Sequence, residues 1–386
     1  MASHPVTALR MPSRPPPATR QVAALREVSL AGRRQPVLRR LGLEIATGER
    51  LALLGPAGAG KTAALMLLSG FTRPDTGSVL LGGREAADIP PAARELALVG
   101  HDEVLLPHLG VAGNIALPLE LRSGPSVGHA DRVGRLMDAL RLVGLADRRP
   151  CDLSAEQRAR TVLARALVTQ PGLVLLDDPC AGLDPSARAA VLADLAPLLQ
   201  GMAVVLATRD PGDALHLGGR VAVLEAGALL QAGPVQEVYD QPDSLRVARL
   251  LGAANLLPGR VEAVEDDIAI VRLGCGLTVE AAATPAAVPG RDCQVFIRPE
   301  RVAVAAVTPA DMGEGALPAL VAGIAWRGDQ VRLSLRLGAE GPRPAELIVT
   351  RPAVVPLAGL TAGQQVAVAW QAEYARVLAR EDPVIE

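Results

Sequence analysis

Aromatic side chains are scarce in this sequence of 386 residues: two Trp, two Tyr and two Phe in all. A surface that grips nucleic acid by stacking has little to be made from, and beyond residue 250 only Phe296, Trp326, Trp370 and Tyr374 are available. Cysteine is scarce too. Cys151, Cys180, Cys275 and Cys293 lie far apart, with neither metal-ligand spacing nor a disulfide-dense pattern, so they are expected to be reduced, cytosolic and mostly buried. No apolar run approaches the roughly 18 residues of a membrane-spanning helix, which leaves a peripheral role at any membrane. Nor is there a charge excess. Lys and Arg number 39 against 41 Asp and Glu, net −2, with the arginines scattered, which argues against a dedicated nucleic-acid binder.

Lysine is the most telling shortage. Lys61 is the one lysine; every other basic side chain is arginine. GC-rich codons explain the bias, since they favour Ala, Gly, Arg and Pro. A position that keeps Lys against such drift needs a compact, rotatable ammonium that a planar guanidinium cannot replace.

What is present fits two or three domains with a sizeable core, at 49% hydrophobic residues. Residues 1–20 hold five prolines and no apolar periodicity, so they are expected to be a disordered tail, with an organellar transit peptide as the alternative. From about residue 21 to 245 short apolar runs (Leu51 to Leu54, Leu173 to Leu176, Ala203 to Ala207, Val221 to Leu224) alternate with helical patterns. Unbroken runs of this length fit strands covered on both faces, and the alternation predicts an α/β fold, a doubly wound sheet with a parallel core. Val133, Leu136, Met137, Leu140 and Val143 predict an amphipathic helix over 131–145. After residue 250 the period falls to two: Val331, Leu333, Leu335 and Leu337 alternate with polar residues, Ile268 and Ile270 do likewise, and Gly328-Asp329 marks a hairpin. Residues 259–274 weakly echo 322–338, which predicts a small all-β, barrel-like domain over 250–386.

Gly55-Pro56-Ala57-Gly58-Ala59-Gly60-Lys61-Thr62 follows an apolar strand and precedes Ala63 and a helical run. Glycines at this spacing let backbone N–H groups curl around phosphate oxygens at a helix N-terminus. Lys61 would reach the β- and γ-phosphates, and the Thr62 hydroxyl would bind Mg²⁺. The run Leu173 to Asp178 is a buried strand that ends in two carboxylates. Asp177 sits where a metal would lie at the sheet's C-terminal edge, and Asp178 one step further, placed to orient a water. A nucleotide and Mg²⁺ are the expected ligands.

The order of these motifs with LLPHL (Leu105 to Leu109), LSAEQ (Leu153 to Gln157), AGLD (Ala181 to Asp184) and TRD (Thr208 to Asp210) resembles an ABC-transporter ATP-binding subunit over about residues 25–245. GAANLLPGRV (Gly252 to Val261), FIRPERV (Phe296 to Val302) and WQAEYARVLA (Trp370 to Ala379) are similar to the C-terminal TOBE domain of bacterial importers, most of all the spermidine/putrescine type. The resemblance implies a helical subdomain near 101–165 within a phosphate-loop domain. It also implies a homodimer or heterodimer of ATP-binding subunits, with Ser154 and Gln157 of one subunit facing the nucleotide of the other. The further partners it implies are two integral membrane permease subunits, docked near His101 to Asn114, and indirectly a periplasmic or extracellular solute-binding protein. The chain would work at the cytoplasmic face of the bacterial cell membrane, with no nucleic acid.

Against the family pattern, Gly32 stands where a tyrosine stacks on adenine, and His101 where a glutamine contacts metal and water. Ala155 and Glu156 replace the two signature glycines, Asp178 the catalytic glutamate, and Arg209 the switch histidine. Asp178, His101 and Arg209 are thus the candidate catalytic residues. Arg209 either binds phosphate or is an ordinary surface residue. A carboxylate at Glu156 about 4 Å from one phosphate charge would cost roughly 4 kcal/mol at an effective dielectric of 20. Retained Mg-ATP binding with reduced turnover is the expectation; a non-hydrolysing, regulatory nucleotide-binding subunit is the alternative.

Overall fold

In the computed structural model the described residues are 21–33, 35–100, 104–123, 127–306, 315–339, 344–354 and 360–380. The expected tail at 1–20 and His101 therefore lie outside the described residues. The chain divides into two compact units, one taking in Gly60–Ala207 and the described residues up to Leu51, the other Ala52–Ala59, Thr208–Glu225 and the chain from Leu229 onward.

The first unit begins with β1 (Gln21–Leu30) and β2 (Leu38–Ala46), followed by the start of β3 (Arg50–Leu54) and, past the phosphate loop, α1 (Lys61–Ser69). β4 (Thr76–Leu81), β5 (Arg84–Glu85) and β6 (Leu96–Val99) come next, then α2 (Val111–Ser123), α3 (Val127–Ala139) and α4 (Ala155–Leu167). β7 (Leu173–Asp177), α5 (Pro185–Leu195) and β8 (Ala203–Thr208) complete it. Here the strand order is β3-β8-β7-β6, and β6, β7 and β8 run parallel, with Leu98 opposite Leu175 and Leu175 opposite Val205. Every residue of β7 and β8 is buried, which is why each reads as an unbroken apolar run.

Two features depart from the expectation of a doubly wound sheet with a helix at 131–145. A separate antiparallel sheet, β2-β1-β4-β5, is built around β1, with Ala23 opposite Ile45 and Ala24 opposite Leu80. Its strands carry bulges and charged residues, so their period is blurred. The predicted helix is α3, which starts earlier and stops at Ala139. Arg141 takes a left-handed backbone (φ 55°), and the Leu142 N–H donates to the Met137 carbonyl at 2.7 Å, a turn that ends the helix and leaves Val143 68% exposed.

In the second unit the end of β3 continues the order β10-β9-β3. It is joined by α6 (Pro211–Leu217), β9 (Arg220–Glu225), β10 (Ala228–Pro234), α7 (Val235–Asp240) and α8 (Leu245–Leu250). Ala52, Leu54, Val221, Val223, Val238 and Val247 form their common core. β11 (Asn255–Glu265), β12 (Ile268–Leu273), β13 (Thr278–Ala282), β14 (Asp292–Ile297) and β15 (Ala303–Ala305) follow. The chain then runs through β16 (Leu317–Trp326), β17 (Gln330–Leu337), β18 (Ala345–Pro352), β19 (Gln365–Ala369) and β20 (Ala375–Ala379). β11-β12-β13-β20-β14 close into a barrel, and β15-β19-β16-β17-β18 make a five-stranded sheet that shares its apolar core. The echo between 259–274 and 322–338 is a pair of antiparallel hairpins, β11–β12 and β16–β17. Each has a register break one residue after a buried valine, Val261 and Val321. Gly328 turns the second hairpin at φ 81°. Cys180, Cys275 and Cys293 are buried and Cys151 is exposed; burial, then Asp292, pushes the Cys293 thiol up to about 11, so it stays protonated.

Arg298 ties the short helices to the barrel. Its guanidinium is buried (1% exposed), and Nε donates to the Tyr239 carbonyl at 3.0 Å. Nη1 donates to the carbonyls of Ala248 (3.0 Å) and Ala253 (2.9 Å). The cation lies over the rings of Tyr239 and Phe296, 4.0 and 4.8 Å from their centroids, which covers the charge where Nη2 has no hydrogen-bond partner. Burial lowers its pKa and, with the hydrogen bond to Glu300, pushes the Tyr239 hydroxyl up to about 12. Replacing Arg298 by Met strands several buried carbonyls and is expected to cost about 3 kcal/mol in urea unfolding. An unchanged midpoint would show that the rings and the apolar core alone hold this junction.

Candidate functional site

The loop from Gly55 to Thr62 bends at its glycines. Gly58 and Gly60 have φ of 77° and 98°, values costly for any other residue, and Ala59 N–H closes a turn on the Pro56 carbonyl at 3.2 Å. A Cβ on Gly60 would come within 2.8 Å of the Val37 carbonyl oxygen, and one on Gly55 would collide with the Leu224 carbonyl. Pro56, Ala57 and Gly58 are exposed, while Ala59 and Gly60 are buried. Gly60 caps α1 without a side chain, so the first N–H groups of that helix have no side-chain cap. Lys61, the first residue of α1, is 8% exposed; Ala63 is half-buried.

The structure brings Thr62 and Asp177 together. Thr62 Oγ1 donates to Asp177 Oδ2 at 2.7 Å, linking the first turn of α1 to the buried end of β7. A hydroxyl beside a carboxylate is a hard-oxygen pair of the kind Mg²⁺ takes alongside water and phosphate. Among the described residues no three His, Cys, Asp or Glu side chains cluster as a metal cage. Asp178 follows with φ 47°, a left-handed backbone, held by its N–H to the Ala207 carbonyl at 2.8 Å. Arg209 is exposed. It follows Thr208, whose hydroxyl donates to buried Asp213 at 2.9 Å and accepts the Asp210 N–H at 3.0 Å.

Gly32 cannot simply become an aromatic residue, because a Cβ there would run into the Gln35 carbonyl.

Ser154 and Gln157 are committed to each other. Ser154 Oγ accepts the Gln157 N–H at 3.1 Å and Gln157 Oε1 accepts the Ser154 N–H at 3.0 Å, a complete capping box on α4. Glu156 is tied down as well. Arg160 Nε donates to Glu156 Oε1 at 2.9 Å, with Nη2 at the same distance but off-axis for a hydrogen bond. Arg160 Nη1 donates to Asp194 Oδ2 at 2.7 Å, and Arg141 takes the other Asp194 oxygen at 2.8 Å.

Arg160, an arginine with 2% exposure in a helix, went unnoticed in the sequence, although its spacing from Glu156 could have flagged it. Asn114 enters the sequence reading only as the far bound of the expected docking stretch, with no role of its own. Fully buried in α2, it accepts the Leu106 N–H at 2.8 Å and donates to the carbonyls of Leu106, Leu109 and Gly110 at 3.0–3.1 Å, fixing the LLPHL loop. That loop borders a groove lined by Leu98, Val104, Leu106, Leu117, Pro118 and Arg165, with Val104 75% exposed.

Comparison with known proteins gives a consistent result. The ABC transporter family matches residues 38–181 and the TOBE domain family residues 295–378. The spermidine/putrescine import ATP-binding protein PotA of Rubrobacter xylanophilus is 34% identical over 342 residues, 88% of each chain. PotA of Pseudomonas aeruginosa (strain UCBPP-PA14) is 38% identical over 295 residues, 75% of this chain and 80% of its own. Among solved structures, a dimeric ATP-binding cassette bound to ADP and phosphate in a post-hydrolysis state superposes with a TM-score of 0.50 at 25% identity, over 55% of this chain and 98% of that one.

The Asp194 pair has a pH signature. Burial pushes this carboxyl up, but the hydrogen bonds from Arg160 and Arg141 outweigh it and hold it below the ordinary value. A lowered folded pKa contributes stability that is complete above the unfolded value, about 4, and is lost as pH falls through the folded one. Asp194→Asn should therefore be less stable than the parent at pH 7 by denaturant titration, with the gap closing below about pH 4. A gap independent of pH would mean the carboxylate's charge plays no part.

Proposed function

The chain belongs to the ABC-transporter ATP-binding proteins with a C-terminal TOBE domain, and from that premise we propose that it binds Mg-ATP and hydrolyses it to drive polyamine uptake through partner permeases. The observation that carries this reading is the contact of Thr62 with Asp177 beside a buried Lys61 at the mouth of a glycine-formed loop. In this reading the backbone of residues Gly55 to Ala63, through every N–H but that lacking at Pro56, and the N-terminus of α1 surround the phosphates, and the Lys61 ammonium neutralises the β- and γ-oxygens. Thr62 and Asp177 would hold Mg²⁺, which when bound spreads the charge that develops on the transferring phosphoryl group. Asp178 orients the attacking water from a shorter reach than a glutamate, which lowers turnover. His101 and the exposed Arg209 complete the candidate catalytic set, with weaker chemistry than glutamine and histidine in those roles.

The chain would act as a homodimer or heterodimer, with Ser154 and Gln157 at the head of α4 facing the partner subunit's nucleotide. The dimeric state of the solved relative supports that arrangement. The apolar groove beside the LLPHL loop would receive a loop from one of the two permease subunits, and a solute-binding protein would deliver cargo to them. No helix among the described residues is long and apolar enough to cross a membrane, so attachment to the cytoplasmic face would come through those permeases. The relatives' names support a spermidine- or putrescine-type solute. Residues 21–245 would form the ATP-binding domain and 250–386 the TOBE domain.

Two measurements test the reading. Calorimetric titration with Mg-ATP should give a binding isotherm that Lys61→Ala weakens by about tenfold or more, the worth of a charge-assisted contact. No heat from the parent chain, or an unaltered trace from the variant, would end the proposal. Steady-state hydrolysis should be slow and should rise about tenfold or more in Asp178→Glu, since a well-placed base contributes at least that much. Absent turnover in both, with binding intact, would instead favour the non-hydrolysing regulatory subunit.

A further inference from the structure

We propose that Arg160 is the positioning residue that lets this signature helix carry an acid where a glycine belongs: it holds the Glu156 carboxylate away from the phosphate that α4 would receive. The inference rests on the reading just given, that the head of α4 faces the nucleotide of a second subunit.

Glu156 is the second residue of α4, and an acid in the first turn of a helix is drawn to the unpaired N–H groups and positive dipole end there. Those same groups would meet a γ-phosphate. A free carboxylate would thus compete with the nucleotide for the amides and repel it as well. In this chain the carboxylate is not free. It is bonded one turn along the helix to Arg160, and Arg160 cannot follow it outward. That guanidinium is buried, with Nη1 fixed by Asp194 at 2.7 Å and the Leu140 carbonyl at 3.2 Å. The group of four is balanced, with Glu156 and Asp194 negative and Arg160 and Arg141 positive, so it presents no net charge to an incoming phosphate. The capping box meanwhile leaves the Ala155 and Glu156 N–H groups clear of the cap's side chains, since Ser154 takes the Gln157 N–H and Gln157 takes that of Ser154.

Loss of Arg160 would release Glu156 toward the helix end and leave the group with one excess negative charge. Loss of both charges together would restore neutrality at that end. This sets a signature's tolerance for an acid apart from ordinary helix stability.

The test uses the full chain and measures monomer ATP affinity by calorimetry, ATP-dependent dimerisation by analytical ultracentrifugation, and kcat and KM for hydrolysis. Arg160→Met should bind ATP within about twofold of the parent, yet lose dimerisation and kcat/KM by about tenfold or more, the effect of a freed like charge near phosphate. The double variant Arg160→Met with Glu156→Gln should recover most of that loss. Should Arg160→Met fail to fold, the same comparison is made in Arg160→Lys, whose compact ammonium lacks the fork that bonds Glu156 through Nε and Asp194 through Nη1. A double variant as poor as the single would overturn the proposal and leave Arg160 as a brace for Asp194. A parent chain that neither turns over ATP nor associates with it would overturn the functional reading and this inference together.

Discussion

The hydrogen bond between Thr62 and Asp177 is the constraint on which the proposed nucleotide site depends, because it joins two elements far apart in sequence at the one spot where the proposed chemistry needs both. α1 supplies a helix start with uncapped N–H groups, and β7 supplies a carboxylate pinned at the end of a fully buried strand. Neither end is adjustable. The loop before α1 is held by left-handed glycines, and β7 lies between two parallel neighbours. In the proposed reaction a pair so fixed would have little to reorganise as charge develops beside it.

Arginine does in this chain what other sequences divide between arginine and lysine. Arg298 and Arg160 are both buried, yet their surroundings differ in kind. Arg298 is satisfied by carbonyls and aromatic faces, so it acts as a neutral-backbone clamp with its charge spread over rings. Arg160 is satisfied by carboxylates and serves to cancel charge. The planar fork permits both uses, and the one compact ammonium stands at the head of α1, where the proposed function needs a point charge.

Much of this was legible in the sequence. The glycine-rich loop and the two aspartates that end the apolar run each depend on near neighbours, so spacing alone reveals them. The unbroken runs at β7 and β8 and the alternation at β17 announced their burial for the same reason. What stayed hidden depends on distant partners. β1 and β2 pair through bulges that scramble their period, and the end of α3 is set by one left-handed arginine that no pattern marks. The partner of Glu156 was four residues away and legible in principle. That Arg160 is buried and anchored on Asp194 was not, since Asp194 lies on another helix.

The clamp at Arg298 has a consequence for how such chains can be recombined. Its acceptors sit on α7, on α8 and in the turn just after α8, while the arginine itself follows β14. A seam placed between α8 and the barrel would cut through that wiring and bare a guanidinium on one piece and unmet carbonyls on the other. Grafting a foreign barrel onto this ATPase, or lending this barrel to another, would succeed only if the two short helices travelled with it as luggage.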